Sequence, residues 1–251
     1  MKQRSYTKII AGMLLFISVQ RLSGNTTWES CSKAEISVAY EKAIQWFSGN
    51  SSCSVSLNYA SFMNYTTLIP SDESSGFYRK SKTNFHVNSV GIRTLCNGQY
   101  CLVADTANQI IVLKNKTEQT SPIGSKDLDN LLSHVQAMKK MDLKNGITAY
   151  RLEFKPNDIY TAFEFRTNSS GTFDRITYYY SKEAKEDEDD EKSPKGKPRM
   201  EISFSNYATN VKFSEGEFST AAYVKENGRK ILLNEHYKNF ELKDYRVQPA
   251  N

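Results

Sequence analysis

The chain has 251 residues, of which 39% are hydrophobic and 24% are charged, and its formal net charge is +5 at pH 7. No change in composition separates two halves, so a single domain is predicted rather than two small ones. Residues 1–24 contain four bases and no acid, and without them the net charge falls from +5 to +1, which removes the argument for a nucleic-acid-binding protein.

An apolar run near the start, residues 9–19, reads I-I-A-G-M-L-L-F-I-S-V and follows Lys2, Arg4 and Lys8. A stable membrane-spanning helix needs about 20 apolar residues, and this run is shorter. A basic start before a short apolar run is typical of a secretory signal peptide. We predict a signal peptide over residues 1–24 and a single exported domain over residues 25–251; an uncleaved membrane anchor is the alternative.

The four cysteines all lie in the exported part: Cys31, Cys53, Cys96 and Cys101. An even number in an oxidising compartment predicts two disulfides, and three connectivities are open. Cys96 and Cys101 are the favoured pair, because they face each other directly if residues 97–100 form a four-residue loop and only diagonally around a two-residue turn. A bridge between Cys31 and Cys53 requires the chain to return along a helix roughly 21 Å long. A metal site is the weaker alternative, since no histidine is close in sequence.

Two amphipathic helices are predicted. The first begins at a capping box, Ser32 to Glu35, ends at Gly49-Asn50, and has one apolar face: Ile36, Tyr40, Ala43, Ile44 and Phe47. The second runs from about Ser125 to Lys140 and also has one apolar face: Leu128, Leu131, Leu132, Val135 and Met138. Each of these helices needs an apolar sheet to cover.

Strand patterns fill most of the remaining chain. Residues 53–60 alternate apolar and small polar side chains, and residues 76–113 form a meander with turns at Asn97-Gly98 and at residues 105–108. Four later runs predict a second set of strands: Ile147–Phe154, Ile159–Arg166, Thr172–Tyr180 and Met200–Tyr207. A last hairpin is predicted around Asn227-Gly228. The fold class is therefore mainly β with two or more helices.

Residues 182–197 contain an acidic block followed by a basic tail with proline and glycine. Such a run cannot bury apolar surface, so we predict a mobile charged hairpin loop. A calcium site formed by Asp187, Asp189 and Asp190 is the alternative, although the glycine and the ligand spacing of a calcium loop are missing.

A search for catalytic motifs finds no nucleophile elbow, phosphate-binding loop or dinucleotide fingerprint. The three histidines, His86, His134 and His236, are scattered through a predicted strand, a predicted helix and the C-terminal region. His86 alternates out of phase with Phe85 and Val87, so we expect it to be exposed. We predict that the protein is not an enzyme and that it has no cofactor and no metal site.

The meander resembles the LolA-type carriers of outer-membrane lipoproteins and their LolB-like relatives. The family's pattern there begins with a Gly-aromatic strand carrying a basic residue, matched by Gly76, Phe77 and Lys80, and an Asn-aromatic pair, matched by Asn84 and Phe85. An Asn-Gly turn follows at residues 97–98, and then a polar turn, residues 105–108, leads into the apolar strand 110–113. These signals cover about forty residues, and the two flanking helices agree with them.

The resemblance implies a half-open antiparallel β-barrel of about eleven strands, with helices covering a concave apolar face that holds acyl chains. It predicts a cavity lined by eleven residues: Val55, Leu57, Tyr59, Phe77, Phe85, Ile92, Leu102, Ile111, Leu128, Leu132 and Phe163. The family's lid latch is an arginine, and its position falls on Lys82, which cannot form the same bidentate contact.

The implied protein is a monomeric periplasmic carrier of acylated lipoproteins or other lipids. Its implied protein partners are an inner-membrane release complex and an outer-membrane acceptor, and no nucleic acid is expected. A non-catalytic envelope interaction or regulatory module with a closed core is the competing hypothesis. A hydrolase ranks below both, because no nucleophile, base and orienting group can be named.

Overall fold

The computed structural model describes residues 27–116, 128, 131–156, 159–185, 195–227 and 230–246. The predicted signal peptide therefore lies outside the described residues. One long helix, α1, spans Lys33–Gly49. The strands in chain order are β1 Glu29–Ser30, β2 Ser52–Phe62, β3 Asp72–Ser81, β4 Asn84–Ser89, β5 Ile92–Cys96, β6 Tyr100–Asp105, β7 Ile110–Asn115, β8 Val135–Asp142, β9 Thr148–Phe154, β10 Tyr160–Thr167, β11 Phe173–Tyr180, β12 Ala184–Lys185, β13 Lys195–Gly196, β14 Arg199–Thr209, β15 Val224–Asn227, β16 Lys230–Leu233 and β17 Glu241–Asp244.

Thirteen strands form one sheet in the order β1-β8-β9-β10-β11-β14-β2-β3-β4-β5-β6-β7-β17. All neighbours pair antiparallel except β17, which pairs parallel with β7. Among the described strands β1 and β17 are the two edges, and no pairing joins them. The mainly β class is confirmed, with more strands than the eleven expected. We call the face toward α1 the inner face and the opposite one the outer face.

Helix α1 forms where the capping box predicted it. The Glu35 amide donates to the Ser32 hydroxyl at 3.2 Å, and the Ser32 amide donates to the Glu35 carboxylate at 2.9 Å, so both ends of the box are closed. Its buried residues are those of the predicted face: Ile36, Tyr40, Ala43, Ile44 and Phe47.

The second predicted helix is wrong over its C-terminal half. Leu128 and residues 131–133 are helical, but residues 135–142 form strand β8. The register of β8 against β9 shifts between Val135 and Ala137, which is the signature of a β-bulge. The buried side chains between α1 and the inner face of the sheet form the main core, and the bulge lets Val135 and Met138 both pack on it although they are three residues apart. The bulge thus gave two core-facing residues of a strand the three-residue spacing that is typical of a helix.

The predicted hairpin between Cys96 and Cys101 is confirmed, and the two cysteines form a disulfide. Cys96 in β5 and Cys101 in β6 are direct cross-strand partners. The Asn97 amide donates to the Tyr100 carbonyl at 3.1 Å and closes the four-residue loop between them. The second predicted disulfide does not form. Cys31 and Cys53 are free thiols, Cys31 before the start of α1 and Cys53 after its end.

The later strand predictions are confirmed as β9, β10, β11 and β14. The charged segment begins as a hairpin, because β12 pairs with β13; residues 186–194, with the three aspartates of the calcium alternative, lie outside the described residues. At the C-terminal end β15 pairs with β16 as predicted. This hairpin lies against the outer face of β5, β6 and β7, where it forms a second core.

Gly76 has no room for a side chain. A Cβ atom there would lie 2.2 Å from the Asn88 carbonyl oxygen of β4 and 3.0 Å from the Tyr59 ring of β2. A glycine is therefore required where β3 passes between these two strands.

Candidate functional site

The inner face beneath α1 is filled by side chains. Tyr40 points into the sheet, and its ring lies 6.5 Å from Phe163, 5.3 Å from Phe165 and 5.4 Å from Phe173, each edge to face. Six of the eleven predicted lining residues belong to this main core: Val55, Leu57, Tyr59, Leu128, Leu132 and Phe163. These six residues share one face of the sheet, and in this structure α1 packs directly on that face.

A different part of the inner face remains accessible. Across β4 to β7 the pairing aligns Val87, Thr94, Val103 and Val112 in one row, and Ile92, Asp105 and Ile110 in the next. Ile92 is 42% exposed, and Val87, Val103, Ile110 and Val112 are partly exposed. We call Val87, Ile92, Val103, Ile110 and Val112 the open stripe. Predicted lining residues Phe85 and Ile92 lie on this same face.

The remaining three predicted lining residues face the other way. Leu102 and Ile111 are completely buried in the second core on the outer face. Phe77 is also on the outer face, where its ring lies 4.8 Å from His86 and 4.1 Å from the Arg79 guanidinium. The structure therefore divides the predicted set between two faces, and a cavity on the inner face cannot include these three.

An ion pair holds the C-terminal region against the outer face. Arg79 donates to both Glu217 carboxylate oxygens, at 2.9 and 3.0 Å, and His86 Nδ1 lies 2.9 Å from the same carboxylate. A carboxylate accepts only, so Nδ1 carries the proton in the neutral ring. Nε2 is buried without a hydrogen-bond partner in the described residues, and burial lowers the His86 pKa despite the opposing effect of Glu217. The prediction that His86 is exposed is wrong, because the segment carrying Glu217 covers it.

Lys80 binds the C-terminal end of α1, whereas the sequence analysis used it only as a motif residue. Its side chain is 5% exposed, and its ammonium group donates to the Phe47 and Ser48 carbonyls at 2.9 Å each. These carbonyls belong to the last turn of α1, where no later amide reaches them. Burial lowers the Lys80 pKa. Lys80 follows the buried Tyr78 by two residues and therefore lies on the same face of β3, and a lysine at such a position is the signal that could have revealed this role.

Lys82, the predicted latch, lies in the turn between β3 and β4 with φ of 55°. Its side chain is exposed, and it makes no ion pair with any residue that the structure describes. The latch stays a prediction.

Across the described ranges, no group of three or more His, Cys, Asp or Glu side chains could hold a metal ion. In the same ranges, none of the helices has both the length and the apolar character needed to cross a membrane.

Comparison with protein-family models and with curated proteins finds no match. Among solved structures, the chain is similar to a LolA superfamily protein from Nitrosomonas europaea, with 12% identity and a TM-score of 0.28 over 73% of this chain and 97% of that one. It is also similar to the lipoprotein LppX from Mycobacterium tuberculosis, with 9% identity and a TM-score of 0.31 over 72% and 99%. A DUF1329 family protein from Desulfovibrio piger matches with 12% identity and a TM-score of 0.30 over 74% and 97%.

Proposed function

We propose that the protein is a non-catalytic, monomeric periplasmic carrier that shelters acyl chains on the inner face of its sheet. The observation that carries the proposal is the open stripe, which continues the main core onto strands that α1 does not cover. Its cargo is an acylated lipoprotein or another lipid. Delivery partners in the inner and outer membranes, and a latch at Lys82, are part of the same proposal.

The two faces of strands β5 to β7 differ in how far their apolar side chains are exposed. On the outer face Leu95, Leu102 and Leu113 are at most 2% exposed, whereas the apolar residues of the open stripe remain accessible. Exposed apolar patches mark binding surfaces in monomeric proteins, and the side chains of the open stripe lie on neighbouring strands, with Thr94 and Asp105 among them. An acyl chain laid along them would gain about 0.8 kcal/mol for each methylene that it buries. A surface of this kind needs no reactive group.

The test uses the double variant Ile92→Asp/Ile110→Asp, which places two charges on one row of the open stripe. The control is Val38→Asp/Leu232→Asp, which changes residues 66% and 49% exposed on α1 and on the C-terminal hairpin. Lipid extraction followed by mass spectrometry, and the fluorescence of an apolar probe, measure loading. The stripe variant should lose most of its loading while the control loads normally. A native protein with no co-purifying acyl species and no increase in probe fluorescence would sink the proposal.

The filled core beneath α1 favours a second candidate, an envelope interaction module without a lipid cargo. Leu132, which is 6% exposed in the main core, distinguishes the two. If the helical residues around it act as a lid, Leu132→Arg abolishes loading and leaves the sheet folded. If they close a permanent core, the same change unfolds the protein. Circular dichroism and probe binding on one sample separate these results.

A further inference from the structure

Four strand ends surround a pocket of about 780 Å³ beside the main core. They are the end of β9, the beginning of β10, the end of β11 and the approach to β14. The volume lies within the range of small-molecule sites.

The pocket wall nearest the core is apolar. Phe154 is buried in the main core, and Tyr160 packs against the same core. The centroid of the Tyr160 ring lies 5.4 Å from that of Tyr178 and 5.1 Å from that of Tyr180. Ile159 stands at the edge and is 69% exposed. Hydrogen bonds from the Ser181 amide and hydroxyl to the Ile159 carbonyl, at 2.9 and 3.0 Å, hold the two walls together. An apolar chain could therefore enter against Ile159 and end on the aromatic rings.

The outer part of the pocket is cationic. Lys155, Lys182 and Lys197 line it, and its described lining contains no acidic side chain. All three lysines are exposed, and none makes an ion pair within the described ranges. Three lysines whose described surroundings hold no carboxylate partner favour an anionic group.

We propose that this pocket binds the anionic head group of a single-chain amphiphile, a carboxylate or a phosphate, with the start of its alkyl chain against Ile159 and Tyr160. The inference rests on the proposed lipid-binding function and adds to it a second site with a head-group preference, which β2 and β3 separate from the open stripe in the strand order. The shared chemistry is an anionic oxygen group on an alkyl chain.

The experiment compares hexadecanoate, hexadecyl phosphate, hexadecanol and hexadecyltrimethylammonium as ligands of the native chain, by competition with a fluorescent apolar probe. Both anions should bind more tightly than the alcohol, and the cation should bind least. Raising the salt concentration should weaken the anions only, because screening acts on charges. The ratio between the two anions distinguishes a carboxylate head from a phosphate head.

Variants test whether the pocket lysines cause the preference for anionic ligands. Lys155→Gln/Lys182→Gln/Lys197→Gln should weaken anion binding by on the order of tenfold and leave hexadecanol unchanged, since each partly solvated ion pair contributes little. The matched control, Lys33→Gln/Lys212→Gln/Lys225→Gln, removes the same charge from exposed lysines elsewhere. Ile159→Glu should repel the anions without unfolding the protein, because the side chain is exposed.

Three results decide the matter. A preference for anions that the pocket variant loses and the control keeps supports the inference. Equal binding of hexadecanoate and hexadecanol by the native chain, or equal losses in the pocket variant and the control, overturns it while leaving the proposed function standing. If no alkyl chain binds at all, the proposed function fails and this inference fails with it.

Discussion

At the scale of single residues, Lys80 connects the helix to the sheet. It reaches from the inner face of β3 to two carbonyls in the last turn of α1, which has no basic residue of its own there. A cation at this end also suits the helix dipole. Lys80 is the cross-strand partner of Cys53, so the contact is built into the centre of the sheet.

The change Lys80→Met tests this role because methionine keeps the apolar stem and removes the donor. The buried Phe47 carbonyl and the partly buried Ser48 carbonyl would lose this donor, which should lower the free energy of unfolding by about 1–3 kcal/mol. Urea denaturation followed by tryptophan fluorescence measures the loss. Lys82→Met is the matched control, since Lys82 is exposed two residues further on, and it should change stability by no more than about 0.5 kcal/mol. Equal effects of the two changes would show that Lys80 does not cap α1.

The presence of two free cysteines predicts how many positions a thiol reagent can label. Burial raises the pKa of both Cys31 and Cys53, so their thiolate forms are scarce at neutral pH. Iodoacetamide should label the native protein slowly at pH 7, and at two positions once the unreduced protein is unfolded. Peptide mapping should place the labels on Cys31 and Cys53 and leave Cys96 and Cys101 bridged. No label in the unfolded, unreduced protein would contradict the structure.

At the scale of elements, the start of α1 is tied to the edge of the sheet. The Lys140 ammonium group in β8 lies 2.6 Å from a Glu35 carboxylate oxygen, while the other oxygen closes the capping box. The hydrogen bond from Lys140, together with those from Ser32, lowers the pKa of Glu35 to about 2. This carboxylate therefore joins a helix cap to a strand.

The free energy of unfolding should fall at acidic pH because the Glu35 carboxylate becomes protonated. Because the folded pKa lies below the ordinary value of 4.5, the unfolded chain takes up the proton first, and the stabilisation is lost as the pH falls from about 4.5 to about 2. Glu35→Gln should therefore be less stable than the native chain at pH 7, and the difference should shrink toward pH 2. Thermal unfolding at a series of pH values measures it. Glu41→Gln, on the exposed face of the same helix, is the matched control because it removes the same charge without touching the capping box, and an equal loss of stability at pH 7 would contradict the role of Glu35.

Which elements the sequence predicts depends on how local their signals are. The cap and apolar face of α1 lie within seventeen residues, and the hairpin at Asn97 within six, so both were predicted. Strand β8 was mistaken for a helix because its bulge, which is set by pairing with β9, restored a helical spacing. The mistake arose where a distant partner changed a local pattern.

At the scale of the whole molecule, one continuous sheet carries two cores on opposite faces. The sequence analysis places Phe77 among the cavity-lining residues, but in the structure Phe77 lies on the outer face and the adjacent Tyr78 packs in the main core beneath α1. The segment that covers Ile111 and Leu113 on the outer face of β7 lies about a hundred residues further along the chain. The pocket lysines come from three separate segments, so no motif could have brought them together. Long-range placement was therefore the part that sequence could not supply.

If the two cores are separate units, damage to one should leave the other intact. Tyr223 is 4% exposed and stacks on Tyr237 with ring centroids 4.9 Å apart, so Tyr223→Ala should cost roughly 3–5 kcal/mol in the second core. Hydrogen exchange should then accelerate in β15, β16 and β17, while the amides of α1 and β2 stay protected. Leu232→Ala changes a residue of β16 that is 49% exposed and should leave exchange as in the native chain. Equal acceleration in α1 would mean that the sheet transmits the loss and that the two faces unfold together.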